Sequence, residues 1–378
     1  MQTESPTVTN PPAWFGSTSM SRRSVDNEAI DEHRARLAAL RSVITSTGGN
    51  GAVTMKQANL RYLIGYSTAA PGKAALVVTQ DEVLLAVAES ELGRAMEATA
   101  VIDNVHVFGW DEPLTVDNWW HGNRAQDGDA LIDRLRQVTS EWGAARMRLA
   151  AGATKAGVET AWREAQRADV TDAQIAAAAM SAMVHDSGYE FPAFVVVGID
   201  SSGSLAHSQW QRRKLGPGGV AFLEFSGGYD GYCAPVMRTI VREPVDDDVT
   251  YLFGKVQAIL ETLYQELKPG IRCSTVAKKC TSVLGVHAGV LFHYSYGYPV
   301  NIFDDQSRSC SWMSGPEFFI TEANDERLEV GMTFHLPIVL RRFGRYAVGQ
   351  SQTVRIVDDG VEVLTGDVPA GLLRVPGP

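Results

Sequence analysis

The apolar pattern of this chain switches repeatedly between the period of a helix and that of a strand, and this switching constrains the fold most. An apolar stripe at helical spacing predicts a helix over 248–267, which Pro269-Gly270 ends. Similar patterns predict helices over 26–47, 171–186 and 275–284. Strands are predicted over 74–79, 83–88, 193–198, 219–226, 236–242, 332–338 and 353–357. Because the two types alternate without the strict rhythm of a doubly wound sheet, we expect the α+β class.

Composition places the chain among globular proteins and excludes two classes of partner. Its 378 residues suggest about two domains. Apolar residues make up 45% and charged residues 21%, which is enough for a large core. The formal net charge of −10 argues against a nucleic-acid binder, which needs a basic surface. No apolar run approaches the roughly 18 residues of a membrane-spanning helix, so we expect no membrane partner.

The cysteines and the N-terminal segment predict a cytoplasmic protein. The four cysteines are Cys233, Cys273, Cys280 and Cys310, and no two of them show C-x-x-C spacing. Scattered thiols of this kind are typical of a reducing compartment. Residues 1–25 are polar and rich in proline and serine, and they lack the apolar stretch of a secretory signal. We interpret them as a flexible arm.

Motifs for nucleotide-driven and nucleophilic chemistry are absent from the sequence. It contains no G-x-x-x-x-G-K-[ST] phosphate loop, no G-x-S-x-G nucleophile elbow and no H-E-x-x-H zinc helix. What remains is a set of histidines, tyrosines and a few carboxylates on predicted strands and turns. Because imidazole titrates near neutral pH, these residues favour proton-transfer chemistry.

Several segments, taken in order, resemble the creatinase/aminopeptidase-P family of pita-bread proteins. The most telling segment is Asn59-Leu60-Arg61-Tyr62-Leu63-Ile64-Gly65-Tyr66, which resembles the creatinase-type N-terminal domain. The second half follows the family's order in the segments GIDSSGSLAHS, GGVAFLEFSGGYDGYCAPVMRT, ELKPGIRCSTV, LFHYSYGYP, LEVGMTFHLP and SQTVRIVDDGVEVLT. The resemblance covers residues 28–368. It implies a creatinase-type domain over 26–145 and a pita-bread domain over 146–378.

The resemblance also implies where metal ligands would lie, and most of these positions hold unsuitable residues. Peptidases of this family bind two metal ions with two Asp, one His and two Glu. The matching positions here are Glu224, Pro235, Tyr294, Pro337 and Ser351. The prolines offer no side-chain donor, and a tyrosine and a serine are poor ligands for a hydrolytic dinuclear site. One carboxylate cannot clamp two ions, so we expect neither a metal nor another cofactor.

Metal-free relatives imply which residues act instead. The run His293-Tyr294-Ser295-Tyr296-Gly297 resembles the tyrosine variant of ectoine hydrolase-like proteins, and Phe334-His335-Leu336 resembles a strand of metal-free members. Creatinase uses a histidine as general acid/base, a role that would fall on His207. Its two guanidinium-binding glutamates would fall on Met237 and Ser351, which carry no charge. Creatine is therefore not the expected substrate.

Four residues are predicted to be catalytic, and these are His207, Glu224, Tyr294 and His335. Each also has a structural interpretation. His207 would be a surface-loop histidine, Glu224 would form a salt bridge with Arg238, and His335 would be a buried histidine bonded to the backbone. Tyr294, Tyr296 and Tyr298 share one face if their segment is extended. Such tyrosines are often core residues, but a hydroxyl in a cavity can donate to a developing oxyanion, and we favour Tyr294 for this role.

The residues predicted to bind substrate are Lys73, His293, Tyr296, Tyr298 and Ser351. Lys73 aligns with a creatinase arginine that reaches the substrate across the dimer. The resemblance therefore implies a homodimer in which the N-terminal domain reaches the partner's site. An exposed turn lysine is the alternative. Trp119-Trp120 would cover either an interface or a pocket.

The function these observations favour is metal-independent, creatinase-like hydrolysis of a C–N bond in a small polar molecule. The same residues suit an elimination, isomerisation or cyclisation in a biosynthetic pathway, because proton transfer with oxyanion support does not dictate the electrophile. A non-catalytic pita-bread binding module is a further alternative, and such a module would not need His207. The last alternative is a lyase that uses a single metal ion.

Overall fold

The structure is a computed structural model that describes residues 7–8, 27–68, 73–112, 114, 125–187, 195–293, 295–303, 313 and 318–377. Within these ranges the chain forms two compact units. The first runs to Arg136, and the second comprises 137–303 and 309–378. None of the described helices combines the length and apolarity needed to cross a bilayer.

The first unit is built on a six-stranded mixed sheet. Its strand order is β1-β5-β4-β3-β2-β6, in which β4 runs parallel to β5 and β2 runs parallel to β6. The elements are β1 (Thr7–Val8), α1 (Asn27–Ser46), β2 (Gly51–Thr54), α2 (Gln57–Ile64), β3 (Ala74–Thr79), β4 (Val83–Ala88), α3 (Leu92–Glu97), β5 (Asn104–Phe108), β6 (Ala125–Asp127) and α4 (Gly128–Arg136). Strands β3 and β4 are almost continuously apolar and buried, so they form the centre of this sheet.

The second unit contains two four-stranded sheets and a short hairpin. The sheet orders are β16-β11-β8-β7 and β12-β13-β14-β15, and β9 pairs with β10. The elements are α5 (Glu141–Glu164), α6 (Asp172–Ser187), β7 (Val195–Ile199), β8 (Val220–Phe225), β9 (Gly228–Tyr229), β10 (Tyr232–Cys233), β11 (Val236–Arg242), α7 (Asp247–Glu266), α8 (Cys273–Leu284), β12 (Tyr298–Pro299), β13 (Thr333–Arg342), β14 (Tyr346–Val357), β15 (Gly360–Val363) and β16 (Leu372–Val375).

Each sheet of the second unit packs one face against a pair of helices. Side chains of α5 and α6 share a buried cluster with β7, β8 and β11. Side chains of α7 and α8 share another with β13 and β14. A third cluster joins the opposite faces of the two sheets, and it consists of Val196, Phe222, Met237, Val339 and Ala347. We call these joined faces the inner face.

The α+β class predicted from the sequence is confirmed, and several elements match their predicted bounds. Strands β3, β4 and β11 begin and end as expected. A capping box is present at the start of α6. The Thr171 amide donates to Gln174 Oε1 at 2.9 Å, and the Gln174 amide donates to Thr171 Oγ1 at 3.4 Å.

The segment predicted as a flexible arm contains a strand. Thr7–Val8 pairs antiparallel with β5, in register with His106 and Val105. The remaining residues of the arm lie outside the described ranges. A two-residue strand among polar and proline-rich neighbours leaves no apolar period in the sequence, so no pattern predicted it.

Candidate functional site

Side-chain alternation along β8 brings a carboxylate to the inner face. Ala221, Leu223 and Phe225 pack toward α5 and α6. Phe222 and Glu224 therefore point the opposite way, and Phe222 belongs to the cluster that joins the two sheets.

Glu224 is a buried carboxyl group without a hydrogen-bond partner for one of its oxygens. Its side chain is 2% exposed, and Oε2 bonds to none of the described residues. Burial raises the pKa of Glu224 to about 7, although the nearby charge of Arg341 acts in the opposite direction. The group is therefore poised to hold or release a proton near neutral pH, as an acid/base residue requires.

The alternative interpretation of Glu224, a salt bridge with Arg238, is wrong. Arg238 neighbours Leu223 in the β8–β11 register and faces away from Glu224. Its guanidinium donates to the carbonyls of Met237 at 2.8 Å and Ser351 at 2.7 Å, and also to that of Pro369. Burial lowers the pKa of Arg238 to about 9. Arg238 therefore links separate segments through hydrogen bonds to their carbonyl groups and does not pair with Glu224.

Arg341 is the described cation whose charge acts on Glu224. Phe334, Leu336 and Leu340 of β13 pack toward α7 and α8, so Arg341 points to the other side. Its guanidinium carbon lies 5.2 Å from the centre of the Phe222 ring, and Nη1 donates to the Gly203 carbonyl at 3.0 Å. Burial lowers the pKa of Arg341, while the proximity of Glu224 raises it.

His207 lies in the loop that follows the short helical turn Asp200–Ser202. Its backbone adopts φ 54°, in the left-handed region that is uncommon for residues other than glycine. The side chain keeps an exposed surface. Crowding by the surrounding protein and the charge of Arg341 both lower the pKa of His207 below its usual value of 6.5. The imidazole is therefore neutral near pH 7 and available as a base.

His293 shares this electrostatic environment. Burial first, and then the charges of Arg341 and His207, lower the pKa of His293 to about 4. Its ring lies 4.8 Å from that of Phe292, and it retains an exposed surface. Arg341 thus lies close enough to His207, His293 and Glu224 to influence the ionisation of each.

His335 occupies a closed hydrogen-bond network on the same strand as Arg341. The Met237 amide donates to Ser351 Oγ, which also hydrogen-bonds with His335 Nε2 at 2.6 Å. The other ring nitrogen, Nδ1, hydrogen-bonds with the Tyr298 hydroxyl at 2.6 Å. His335 is 0% exposed, and burial lowers its pKa to about 3. Because both ring nitrogens are hydrogen-bonded, the neutral imidazole is suited to orient Tyr298 and Ser351.

Tyr296 and Tyr298 do not share one face, because the condition for this, an extended segment, is not met. The extended segment is limited to β12, so the alternation breaks down before Tyr298. Tyr296 is 0% exposed in the core beside α8, where its hydroxyl bonds to Thr281 Oγ1 at 2.9 Å. It cannot reach a substrate on the inner face, which corrects its predicted role. Tyr294 lies outside the described residues.

Ser351 and Lys73, which were predicted to bind substrate, form hydrogen bonds within the protein. Ser351 is 0% exposed, and its hydroxyl serves the network around His335, so it acts through that network. Lys73 belongs to the first unit, where its Nζ donates to the Trp110 carbonyl and lies 4.9 Å from the centre of the Trp110 ring. Trp119-Trp120 lies outside the described residues.

The described residues provide no cluster of ligands for a metal ion. In these ranges no group of three or more His, Cys, Asp or Glu side chains comes together in a way that could hold one. Cys273 and Cys280 are buried in the core, where burial raises the pKa of each thiol to about 12. They are unsuited to be thiolate ligands or nucleophiles.

Arg341 is the site residue that the sequence analysis missed. A usable signal was present, because the alternation that places His335 on one face of a strand also places Pro337, Val339 and Arg341 there. The predicted strand ended at residue 338, so Arg341 fell outside it. Following the apolar alternation to the end of the run would have found it.

Comparison with protein families gives two matches. Residues 145–361 match the model described as metallopeptidase family M24, and residues 36–178 match that of the creatinase/prolidase N-terminal domain. A protein of Sinorhizobium fredii (strain NBRC 101917 / NGR234) described as an uncharacterized hydrolase/peptidase is 26% identical over 238 residues. The match spans 61% of this chain and 57% of that relative's length.

Solved structures resemble the chain along most of its length. Dipeptidase PepE from Mycobacterium ulcerans has 21% identity and a TM-score of 0.76, covering 92% of this chain and 99% of its own. An Xaa-Pro dipeptidase from Bacillus anthracis has 16% identity and a TM-score of 0.75, covering 91% and 100%. A prolidase from Thermococcus sibiricus has 18% identity and a TM-score of 0.76, covering 91% and 99%. At these identities the similarity establishes the fold.

Proposed function

Because the chain belongs to metallopeptidase family M24, we propose that it is a hydrolase, and one that works without metal through proton transfer by His207. The family model covers more than half of the chain. Membership confirms the resemblance to creatinase and aminopeptidase P and the predicted pita-bread fold. The relatives described as a hydrolase/peptidase and as dipeptidases favour cleavage of a C–N bond.

The residues at the family's metal positions do not fit two metal ions. Glu224 is the one carboxylate among those described. The Pro235 carbonyl accepts from Thr353 Oγ1 at 2.8 Å, and Pro337 has no donor atom in its side chain. The Ser351 hydroxyl is committed to Met237 and His335. Proton transfer by side chains therefore fits these residues better than a two-metal mechanism.

The observation that carries the proposal is that Arg341, on the inner face, lies close enough to both Glu224 and His207 to affect the ionisation of each. Neutral His207 would take a proton from water as the water oxygen attacks the carbonyl carbon, and would return it to the leaving nitrogen. Glu224, protonated near neutrality, would donate a hydrogen bond to the carbonyl oxygen while negative charge develops there. His293 would contact the substrate, and His335 would position Tyr298 and Ser351.

Two finer proposals accompany this mechanism. Tyr294 would add a second donor for the developing oxyanion. Lys73 would reach the site of the partner in a homodimer located in the cytoplasm. Light scattering checks the dimer, and turnover by a mixture of Lys73→Ala and His207→Ala chains checks whether one chain completes the other's site.

The proposal is tested with a panel of small amides after exhaustive dialysis against EDTA. The panel contains a Gly-Pro dipeptide, N-acetylglycine and creatine, and release of amine is measured. Activity that survives dialysis and falls about 10²- to 10⁴-fold in His207→Ala supports the proposal. His185→Ala, which changes an exposed histidine on α6, is the matched control and should keep full activity. Activity that returns only when a divalent metal is added back would contradict it.

A further inference from the structure

Residues 203–215, here called the His207 loop, are fixed at their start by the hairpin that connects β13 with β14. Nη1 of Arg341 donates to the Gly203 carbonyl at 3.0 Å. The Gly344 amide donates to Ser204 Oγ at 2.9 Å. This first anchor ends three residues before the histidine.

The far end of the His207 loop pairs with the backbone that leads into α6. The Leu215 amide donates to the Val170 carbonyl at 3.0 Å, and the Asp172 amide donates to the Arg213 carbonyl at 2.9 Å. In the described part of the chain this backbone pairing ends at Arg213, six residues after the histidine. By itself it would leave a long span between the two anchors.

The side chain of Asp172 extends the second anchor toward the histidine. Asp172 is 0% exposed, and its Oδ1 accepts from the Arg213 amide at 3.1 Å and from the Ala173 amide at 2.7 Å. Its Oδ2 accepts from the Gln211 amide at 2.9 Å. Since loss of any of these bonds would leave a buried oxygen less well satisfied, the carboxyl group holds the loop firmly at Gln211.

Packing does little to fix the loop between its anchors. The side chains of Leu205, His207 and Trp210 are all exposed. His207 and Arg212 adopt φ angles of 54° and 60°, in the left-handed region. Such a conformation persists where the surrounding structure imposes it. The path of the backbone through His207 therefore depends on the bonds at the two ends of the loop.

We propose that Asp172 is a positioning residue whose carboxyl group fixes the His207 loop so that the imidazole stays near the charge of Arg341. The inference rests on the proposed function for the role of His207, and it adds a residue that acts on the reaction without touching the substrate. If the bond to Gln211 is lost, the span without an anchor lengthens from 205–210 to 205–212. A longer free span samples more conformations, so the imidazole spends less time in one place.

The test uses the full chain without any substrate. Asp172→Ala removes both bonds from the carboxyl group to the loop, whereas Asp172→Asn keeps one acceptor oxygen. Gln174→Ala is the matched control, because it removes the capping box at the same helix start and leaves the loop contacts in place. Hydrogen exchange is measured at residue resolution. NMR of protein labelled with ¹³C-histidine follows titration of the imidazoles, and the signal that is missing in His207→Ala identifies His207.

In Asp172→Ala the Gln211 amide should exchange at least about tenfold faster than in wild type. The Leu215 amide, which the backbone pairing holds, should keep its protection. Asp172→Asn should show a smaller effect at Gln211, and Gln174→Ala none.

The pKa of His207 reports where the imidazole lies. Burial first, and then the charge of Arg341, lower this pKa below its usual value of 6.5. A released loop carries the ring into water and away from Arg341, so the pKa should rise toward 6.5 in Asp172→Ala. Arg341 and His293, which interact electrostatically with His207, are unchanged in every variant. A merely structural role of Asp172 would not move this signal.

An unchanged pKa of His207 in folded Asp172→Ala overturns the inference, and so does unchanged exchange of the Gln211 amide. An equal shift in Gln174→Ala also overturns it, because the effect would then come from the helix start in general. Near-UV circular dichroism verifies folding, and Asp172→Asn decides the comparison if Asp172→Ala does not fold.

Failure of this inference and failure of the proposed function are distinguishable. If turnover of the Gly-Pro dipeptide depends on His207 while the spectra of the Asp172 variants match wild type, the inference alone falls. If turnover does not depend on His207, the proposed function falls, and the positioning role of Asp172 in the reaction falls with it.

Discussion

Glu224→Gln is expected to stabilise the protein above neutral pH while abolishing its activity. The carboxyl is buried, and burial raises its pKa in the folded state to about 7 from a usual value of 4.5. Below the unfolded value the group is neutral in both states, so its contribution to stability is fully present there. As pH rises through 4.5 toward 7, the unfolded chain releases a proton that the folded protein keeps, and the free energy of unfolding falls.

The size of this effect follows from the two pKa values. Their difference, at about 1.4 kcal/mol per pH unit, corresponds to about 3 kcal/mol at pH 8 and above. Glutamine has nearly the same shape and does not ionise, so the variant avoids this loss. The charge that acts on Glu224 is that of Arg341, which is present in both proteins, so its other interactions largely cancel in the comparison.

The assay is urea unfolding of wild type and variant between about pH 5 and about pH 9. The stability gap in favour of Glu224→Gln should widen up to about pH 7 and then level off. Glu261→Gln, at an exposed position on α7, should show no such trend. A gap that stays flat, or one that comes to favour wild type as pH rises, would mean that the carboxylate is paired and ionised. The reasoning about this site would then be refuted. Stability gained together with activity lost is the signature of a functional group.

Three further changes test other parts of the structure. His207→Gly should be at least as stable as His207→Ala in thermal unfolding, because glycine adopts the φ of 54° at this position freely. Both variants should lose turnover, and wild-type turnover in either would exclude His207 as the proton carrier. Arg238→Leu should lower the free energy of unfolding in urea by at least about 3 kcal/mol, since several buried carbonyls lose their donor, and a loss below about 1 kcal/mol would contradict this role. Asp248→Asn should cost stability at pH 7, because Arg342 holds the pKa of Asp248 below its usual range. This cost should diminish as pH falls below the usual value of 3.8, and a cost independent of pH in urea unfolding would refute the ion pair.

The elements that sequence patterns predicted well are those whose buried faces are large and apolar. Helix α7 presents Leu252, Val256 and Ile259 at helical spacing, and all three are fully buried. Strands β3 and β4 are short apolar runs bounded by polar turns. In these cases burial of aliphatic side chains determines both the type of element and its position. The hydrophobic periodicity of the sequence is therefore sufficient to predict the element.

Helix α5 escaped prediction because its buried face consists of small residues. Of its 24 residues, the buried ones include Gly143, Ala150, Ala153 and Gly157. An added Cβ at Gly157 would lie 2.8 Å from Met183 Cγ, which shows how closely this helix approaches α6. Small residues permit such contact but contribute little to a hydrophobic period. A scan for large apolar side chains therefore overlooks a helix of this kind.

Site residues were predictable where a family pattern named a position, and not where side-chain direction decides the role. His207 and Glu224 came from the resemblance, and the structure places both near Arg341. Tyr296 was assigned to the site on the assumption of an extended strand. The chain is irregular there, and the side chain turns into the core. A local break in strand geometry reverses the direction of a side chain, and no pattern in the amino-acid sequence indicates this change.

Buried polar links join strands β11 and β14 on the inner face. Here the Met237 amide of β11 donates to Ser351 of β14, and Thr239 of β11 exchanges hydrogen bonds with the backbone of Gly349. Because these bonds are buried, breaking any of them would leave an unsatisfied polar group, and they hold β11 against β14 without an ion.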